Sequence, residues 1–256
     1  MVKKSNIKIP AIVVIRLIVF LFIGIILFWI YSKTSDFVFN DNMFDIKDIK
    51  VDQSISFIDA KLLTGLKGQN IFSVDLNKIH QRISNQYPQI SQLRVMRQLP
   101  DSIIVLAKKR DIFFQVQAHN KILIVDTEGV TMFYTAQPMA FPMVIGVPLQ
   151  RSKVTLGLPS TIKEISIACE LLKQLKAHEH TSRLKVISMQ VSNLSKIEMT
   201  VMPNIQLIID QDDLVQKVEM LEFLFQNGKI NWNNVKYIDV RFKEPIINET
   251  IPKDEK

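Results

Sequence analysis

The stretch YPQISQLRVMRQLPDSIIV, residues 87–105, contains a helix stop, two strands and the turn that joins them. Pro88 cannot continue a helix. Ile90 to Leu99 and Ser102 to Lys108 read as strands, and between them Pro100-Asp101 turns the chain, since proline fixes φ and aspartate bonds its own turn. Just upstream, Leu76, Ile79, Ile83 and Tyr87 fall on one helical face, with Ser73 as the cap and Asp75 at the positive end. Ile58, Leu62 and Leu66 make a shorter helix that Gly65 and Gly68 weaken and close. Phe44, Ile46, Ile49 and Val51 form a first strand with a slip in its alternation. The order is strand, helix, helix, strand, strand.

Beyond Arg110 the chain becomes rich in strands. Ile112 to Val116, Ile122 to Val125 and Val130 to Tyr134 are short and apolar, and Glu128-Gly129 supplies the φ > 0 position of a tight hairpin. Residues 138–148 read as a loop. Thr161 and Glu164 make a capping box for a helix that turns Ile165, Ala168, Cys169, Leu172 and Leu175 one way. Strands at 184–191, 196–202 and 205–210 follow, then a helix with Leu214, Val218, Leu221 and Phe225 on its buried stripe, ending at Asn227-Gly228. Val235 to Phe242 closes the sheet. The fold class is α+β.

At the amino end, AIVVIRLIVFLFIGIILFWIY, residues 11–31, is apolar except for Arg16. As a helix it spans about 31 Å, the thickness of a bilayer's hydrocarbon core. Lys3, Lys4 and Lys8 precede it without an acid, which keeps that end cytoplasmic. Arg16 can lift its guanidinium to the headgroups, and Trp29 and Tyr31 mark the opposite interface. A secretory signal would need small residues after the core, and FWIYSKTSDF offers no A-x-A-like site, so the segment reads as an uncleaved anchor. Either way the rest is exported.

The formal charge is +7, from 32 basic and 25 acidic residues. Removing the five cations of residues 1–33 leaves +2, which gives nucleic-acid binding little support. Cys169 is the single cysteine, so no internal disulfide forms. On an apolar helical face it reads as packing rather than as a nucleophile. Turn chemistry alone explains Asp126 and Glu128. His178-Glu179-His180 lacks the i, i+4 spacing of a zinc helix. His80 and His119 have no nucleophile nearby in sequence, and phosphate loops and nucleophile elbows are absent. No catalytic, cofactor or metal residue is assigned, and no small-molecule substrate is expected.

GQNIFSVDL at 68–76, the 87–105 stretch, KKR at 108–110, ILIVDTEGVTMF at 122–133, FPMVIG at 141–146 and YIDVRF at 237–242 together resemble the FtsQ/DivIB family of bacterial division proteins. Each motif is loose; their succession behind one anchor is specific. The resemblance implies a POTRA domain (β-α-α-β-β) and a carboxyl-terminal β-rich domain with two helices. The boundaries are 1–10 cytoplasmic tail, 11–31 transmembrane helix, 32–42 linker, 43–110 POTRA domain, 111–247 β domain and 248–256 flexible tail. It implies a single-pass type II protein of the inner (cytoplasmic) membrane at the division septum, with its carboxyl-terminal part extracytoplasmic.

The resemblance further implies a scaffold that is not an enzyme. The segment at the end of the YIDVRF-like strand, the sheet's last, would form an open edge that takes FtsB, paired with FtsL, by β-strand addition, and so help control septal peptidoglycan synthesis. Arg241, Phe242, Lys243, Glu244, Ile246 and Ile247 would line that site, with Phe242 as the aromatic anchor. Pro245 cannot donate to a ladder, so it faces outward or stops the pairing. The POTRA domain, close to the membrane, would be a docking surface toward other divisome proteins and the bilayer. Two other classes fit less well. A POTRA-containing receptor for protein assembly or secretion would need a membrane barrel, for which residues 111–256 hold too few strands. An anchored envelope enzyme would have to use Cys169 or a histidine.

Overall fold

A computed structural model describes residues 11–40, 42–59, 61–149, 154–226 and 234–249. Helix α1 (Ala11–Asn40) contains the apolar run and does not stop at its end. Ser32 to Asn40, expected as linker, continue the helix, and the Thr34 hydroxyl donates to the Ile30 carbonyl at 2.8 Å. Among the described residues it is the one helix long and apolar enough to cross a membrane.

The chain divides into two compact units, Met1–Gln81 with Leu93–Ala107, and Arg82–Gln92 with Lys108–Lys256. After a 3-10 turn at Asn42–Phe44 come β1 (Asp48–Val51), α2 (Lys61–Thr64), α3 (Leu76–Gln86), β2 (Ile90–Gln98) and β3 (Ser102–Lys109). The strands form a three-stranded sheet in the order β1-β3-β2, with β1 parallel to β3 from Asp48 opposite Ser102 to Val51 opposite Val105. Ile46, Ile55, Ile71, Ile79, Ile103 and Val105 are buried in the first unit. The expected first strand is shorter at its start, because Phe44 lies in the 3-10 turn. Asp75, not Ser73, caps α3: its Oδ1 accepts from the Asn77 amide at 2.9 Å, while the Ser73 hydroxyl turns back to the Asn70 carbonyl.

The second unit is built on a nine-stranded sheet in the order β12-β11-β10-β9-β8-β7-β4-β5-β6. Its strands are β4 (Ile112–Ala118), β5 (Lys121–Asp126), β6 (Thr131–Thr135), β7 (Met143–Ile145), β8 (Val186–Gln190), β9 (Ile197–Val201), β10 (Ile205–Ile209), β11 (Val235–Asp239) and β12 (Ile246–Glu249). Helix α4 (Lys163–Ala177) connects the parallel pair β7 and β8, and α5 (Leu214–Gln226) connects the parallel pair β10 and β11. A parallel pair needs such a crossover. The helices bury Ile165, Leu171, Leu172, Val218 and Leu221 in one apolar cluster with Phe114, Val144, Met199, Leu207 and Ile238 of the sheet.

Three expectations are corrected here. The 138–148 loop contains β7, held on both sides by parallel partners. The Thr161–Glu164 capping box does not form, because α4 starts at Lys163 behind Ile162, which makes no side-chain cap. Val235 to Phe242 is not the last strand: β11 ends at Asp239, and β12 pairs antiparallel on its outer side. The Asn227-Gly228 stop lies outside the described residues, as do the 1–10 tail and residues 250–256.

Candidate functional site: the β11–β12 border

The register Ile238 opposite Ile247 and Asp239 opposite Ile246 places β12 along β11, the strand expected to close the sheet. The molecule's own chain therefore covers β11, and the sheet's border moves one strand outward, onto residues already singled out. Among the described residues β12 has a ladder partner on one side, β11. The pleat sends successive side chains to opposite faces. Ile247 packs against the apolar core, whereas Ile246 is 48% exposed. Pro245, which has no amide hydrogen to give, stands immediately before the ladder begins.

Arg241 to Glu244 form the bend between β11 and β12. Asp239, which is buried, fixes this bend. Its carboxylate accepts from Arg241 Nε at 2.9 Å, Arg241 Nη2 at 2.7 Å and the Arg241 amide at 3.1 Å. Burial alone would raise the Asp239 carboxyl, but these donors and the charge of Arg241 hold it below the usual carboxylate range. The bond to Asp239 likewise raises Arg241. Above this ion pair, the Arg241 guanidinium lies 5.3 Å from the ring centre of Phe242, which is 52% exposed.

The structure thus divides the six residues singled out. Arg241 spends its donor fork on Asp239 and serves as a shelf under Phe242. Phe242, Lys243, Glu244 and Ile246 are exposed, and Ile247 joins the core. Asp239 was missed in sequence, although an acid two residues before an arginine at a strand end was its available signal.

The residues weighed for chemistry lie elsewhere. The Cys169 thiol is buried, which raises its pKa, and donates to the Thr127 carbonyl at 3.6 Å. His180 is occupied by Glu222: the carboxylate accepts from the His180 and Thr181 amides at 3.0 and 2.8 Å and meets His180 Nδ1 at 2.7 Å. Asp126 and Glu128 both receive Arg110. Among the described residues no group of three or more His, Cys, Asp or Glu is arranged to hold a metal.

Comparison with known proteins agrees with this architecture. Residues 44–108 match the POTRA domain of the FtsQ type. The chain is 24% identical over 214 residues to the cell division protein DivIB of Clostridium tetani, covering 82% of this chain and 79% of that protein. It is 24% identical over 209 residues to DivIB of Clostridium acetobutylicum, with 80% of each covered. The cell division protein FtsQ of Koribacter versatilis is 28% identical over 146 residues, 56% of this chain and 40% of that protein. With an FtsQ-type POTRA domain behind an apolar amino-terminal helix, and a β-rich region with two helices after it, the chain is similar to the FtsQ and DivIB cell division proteins over about 80% of its length.

Proposed function

We propose that this chain is a membrane-anchored, non-catalytic scaffold that captures FtsB, paired with FtsL, by strand addition on the outer side of β12. In this way it helps control septal peptidoglycan synthesis. Helix α1 is the anchor and Lys3, Lys4 and Lys8 keep its start cytoplasmic, which leaves both folded units outside the cell membrane. The observation that carries the reading is the sheet order, in which β12 stands at the end with a partner on one side among the described residues.

The energetics favour a two-part site. Half of the backbone groups of a four-residue border strand face outward. Four net hydrogen bonds of about 1 kcal/mol each do no more than offset the lowest estimate of the cost of association, about 4 kcal/mol. Side chains supply the remainder, and the exposed pair on hand is Phe242 with Ile246. Lys243 and Glu244 at the rim set register and encounter rate.

The test is capture of a purified FtsB–FtsL pair by the full-length chain in detergent. Ile246→Asp weakens capture by about tenfold or more, equivalent to roughly 1.4 kcal/mol, with thermal unfolding nearly unchanged. Ile187→Asp, an equally open position on β8, leaves capture intact. Undiminished capture by Ile246→Asp would remove β12 from the interface.

A further inference from the structure

Helix α1 joins the first unit through a fastened corner. Phe37, in its last turns, meets Phe44 edge-on with ring centres 5.7 Å apart, and Phe44 meets Phe72 at 5.3 Å. Asn70 Nδ2 donates to the carbonyls of Val38 and Phe39 at 2.8 and 3.3 Å, satisfying groups that a helix end leaves without partners. Asn70 is itself held by its bridge to Asp45, and the Ile71 amide donates to the Phe44 carbonyl at 2.8 Å. The corner is apolar and open. Phe37 and Phe39 are each 52% exposed, Met43 50% and Phe72 36%. So many large apolar side chains at one place mark a surface that something covers.

The position of the corner along α1 identifies the cover. Tyr31 ends the apolar run, and Phe37 follows six residues later, about 9 Å further along the axis. A headgroup layer extends roughly 5–8 Å beyond the hydrocarbon on each side. Helical Cα–Cβ bonds tilt toward the amino end. The rings of Phe37 and Phe39 therefore lean back toward the apolar run, and Phe44 joins Phe37 to Phe72 through edge-on contacts. We propose that Phe37, Phe39, Phe44 and Phe72 form a foot embedded in the lipid headgroup layer, which seats the first unit on the bilayer surface. This rests on reading α1 as a membrane span.

The test places single tryptophans in the full-length chain, reconstituted in nanodiscs of phosphatidylcholine brominated near the glycerol end of its acyl chains. One reporter is Phe72→Trp, a second is Phe39→Trp, each combined with Trp29→Phe and Trp232→Phe. The reference chain keeps Trp29 and carries Trp232→Phe alone. The foot requires emission from both reporters to be quenched, and less so when the bromines are moved toward the methyl end. Quenched Trp29 with both reporters unquenched overturns the foot and leaves the anchor standing. Blue-shifted but unquenched emission from the reporters overturns it equally, because it shows that a second copy or another protein covers the rings. Unquenched Trp29 overturns the anchor itself.

Discussion

Arg110 and Asp126 meet at 2.6 Å, and the same Nη1 lies 2.9 Å from Glu128. The two carboxylates are not equivalent, because the Asp126 side chain is 3% exposed and the Glu128 side chain 70%. Asp126 also accepts the Glu128 and Val130 amides, each at 2.8 Å, and so holds the hairpin turn that Gly129 completes at φ +78°. Arg110 continues to the Ile90 carbonyl at 3.2 Å, and its amide donates to Gln89 at 2.8 Å. Arg110→Ala leaves a buried carboxylate without its cation and destabilises the chain by about 2–4 kcal/mol. Glu128→Gln costs less than about 1 kcal/mol. Chemical denaturation of both variants checks the ranking.

Glu222 sets a pH dependence of known sign. Burial opposes its charge, but the amides of His180 and Thr181, the His180 ring and its charge together lower the carboxyl from 4.5 to about 2. A carboxylate lowered on folding contributes stability that is complete above the unfolded value and is lost as pH falls through the folded one. The contribution therefore disappears between pH 4.5 and about 2. Glu222→Gln flattens the stability curve across that window. Thermal unfolding of both proteins against pH makes the comparison.

Gly146 is irreplaceable in a way Gly129 is not. Both have positive φ, +81° and +78°. A Cβ at 146 would lie 2.9 Å from Gln190 Nε2 and Ser192 Cβ and 3.0 Å from the Ser192 backbone nitrogen, whereas at 129 it would meet only Cys169 Sγ at 3.9 Å. Gly129→Ala costs roughly 1–2 kcal/mol for the left-handed conformation alone, and Gly146→Ala costs more. Denaturant midpoints of the two variants decide.

At the border, Asp239→Asn weakens the charge-assisted fork that holds Arg241 beneath Phe242 and lowers stability by about 1–2 kcal/mol. Arg241→Lys keeps the charge but not the planar fork, and both variants weaken capture of the FtsB–FtsL pair. Side-by-side binding titrations of the two variants check this.

What could be read in the sequence was local or periodic. The 87–105 stretch became β2, turn and β3, the stripe of α5 buried Leu214, Val218 and Leu221 as its spacing required, and Glu128-Gly129 made its hairpin. What escaped reading depended on distant partners. Three residues between Pro138 and Pro148 are too short to show alternation, and β7 exists because β4 and β8 flank it. Ile246 to Glu249 alternate no better, and only the neighbouring β11 makes them a strand. Asp126 and Glu128 read as turn chemistry because Arg110, sixteen and eighteen residues away in sequence, gives no local sign of bonding them. At the border, β11 was legible as a strand and its covering by β12 was not.

The central claim is that a foreign strand lies along the outer side of β12. Amide hydrogen exchange of the full-length chain in detergent, with and without a saturating FtsB–FtsL pair, tests it directly. The account predicts that exchange slows at residues 246–249 on binding, while β6, at the far end of the same sheet, is unchanged. Tight binding without added protection at 246–249 would contradict it.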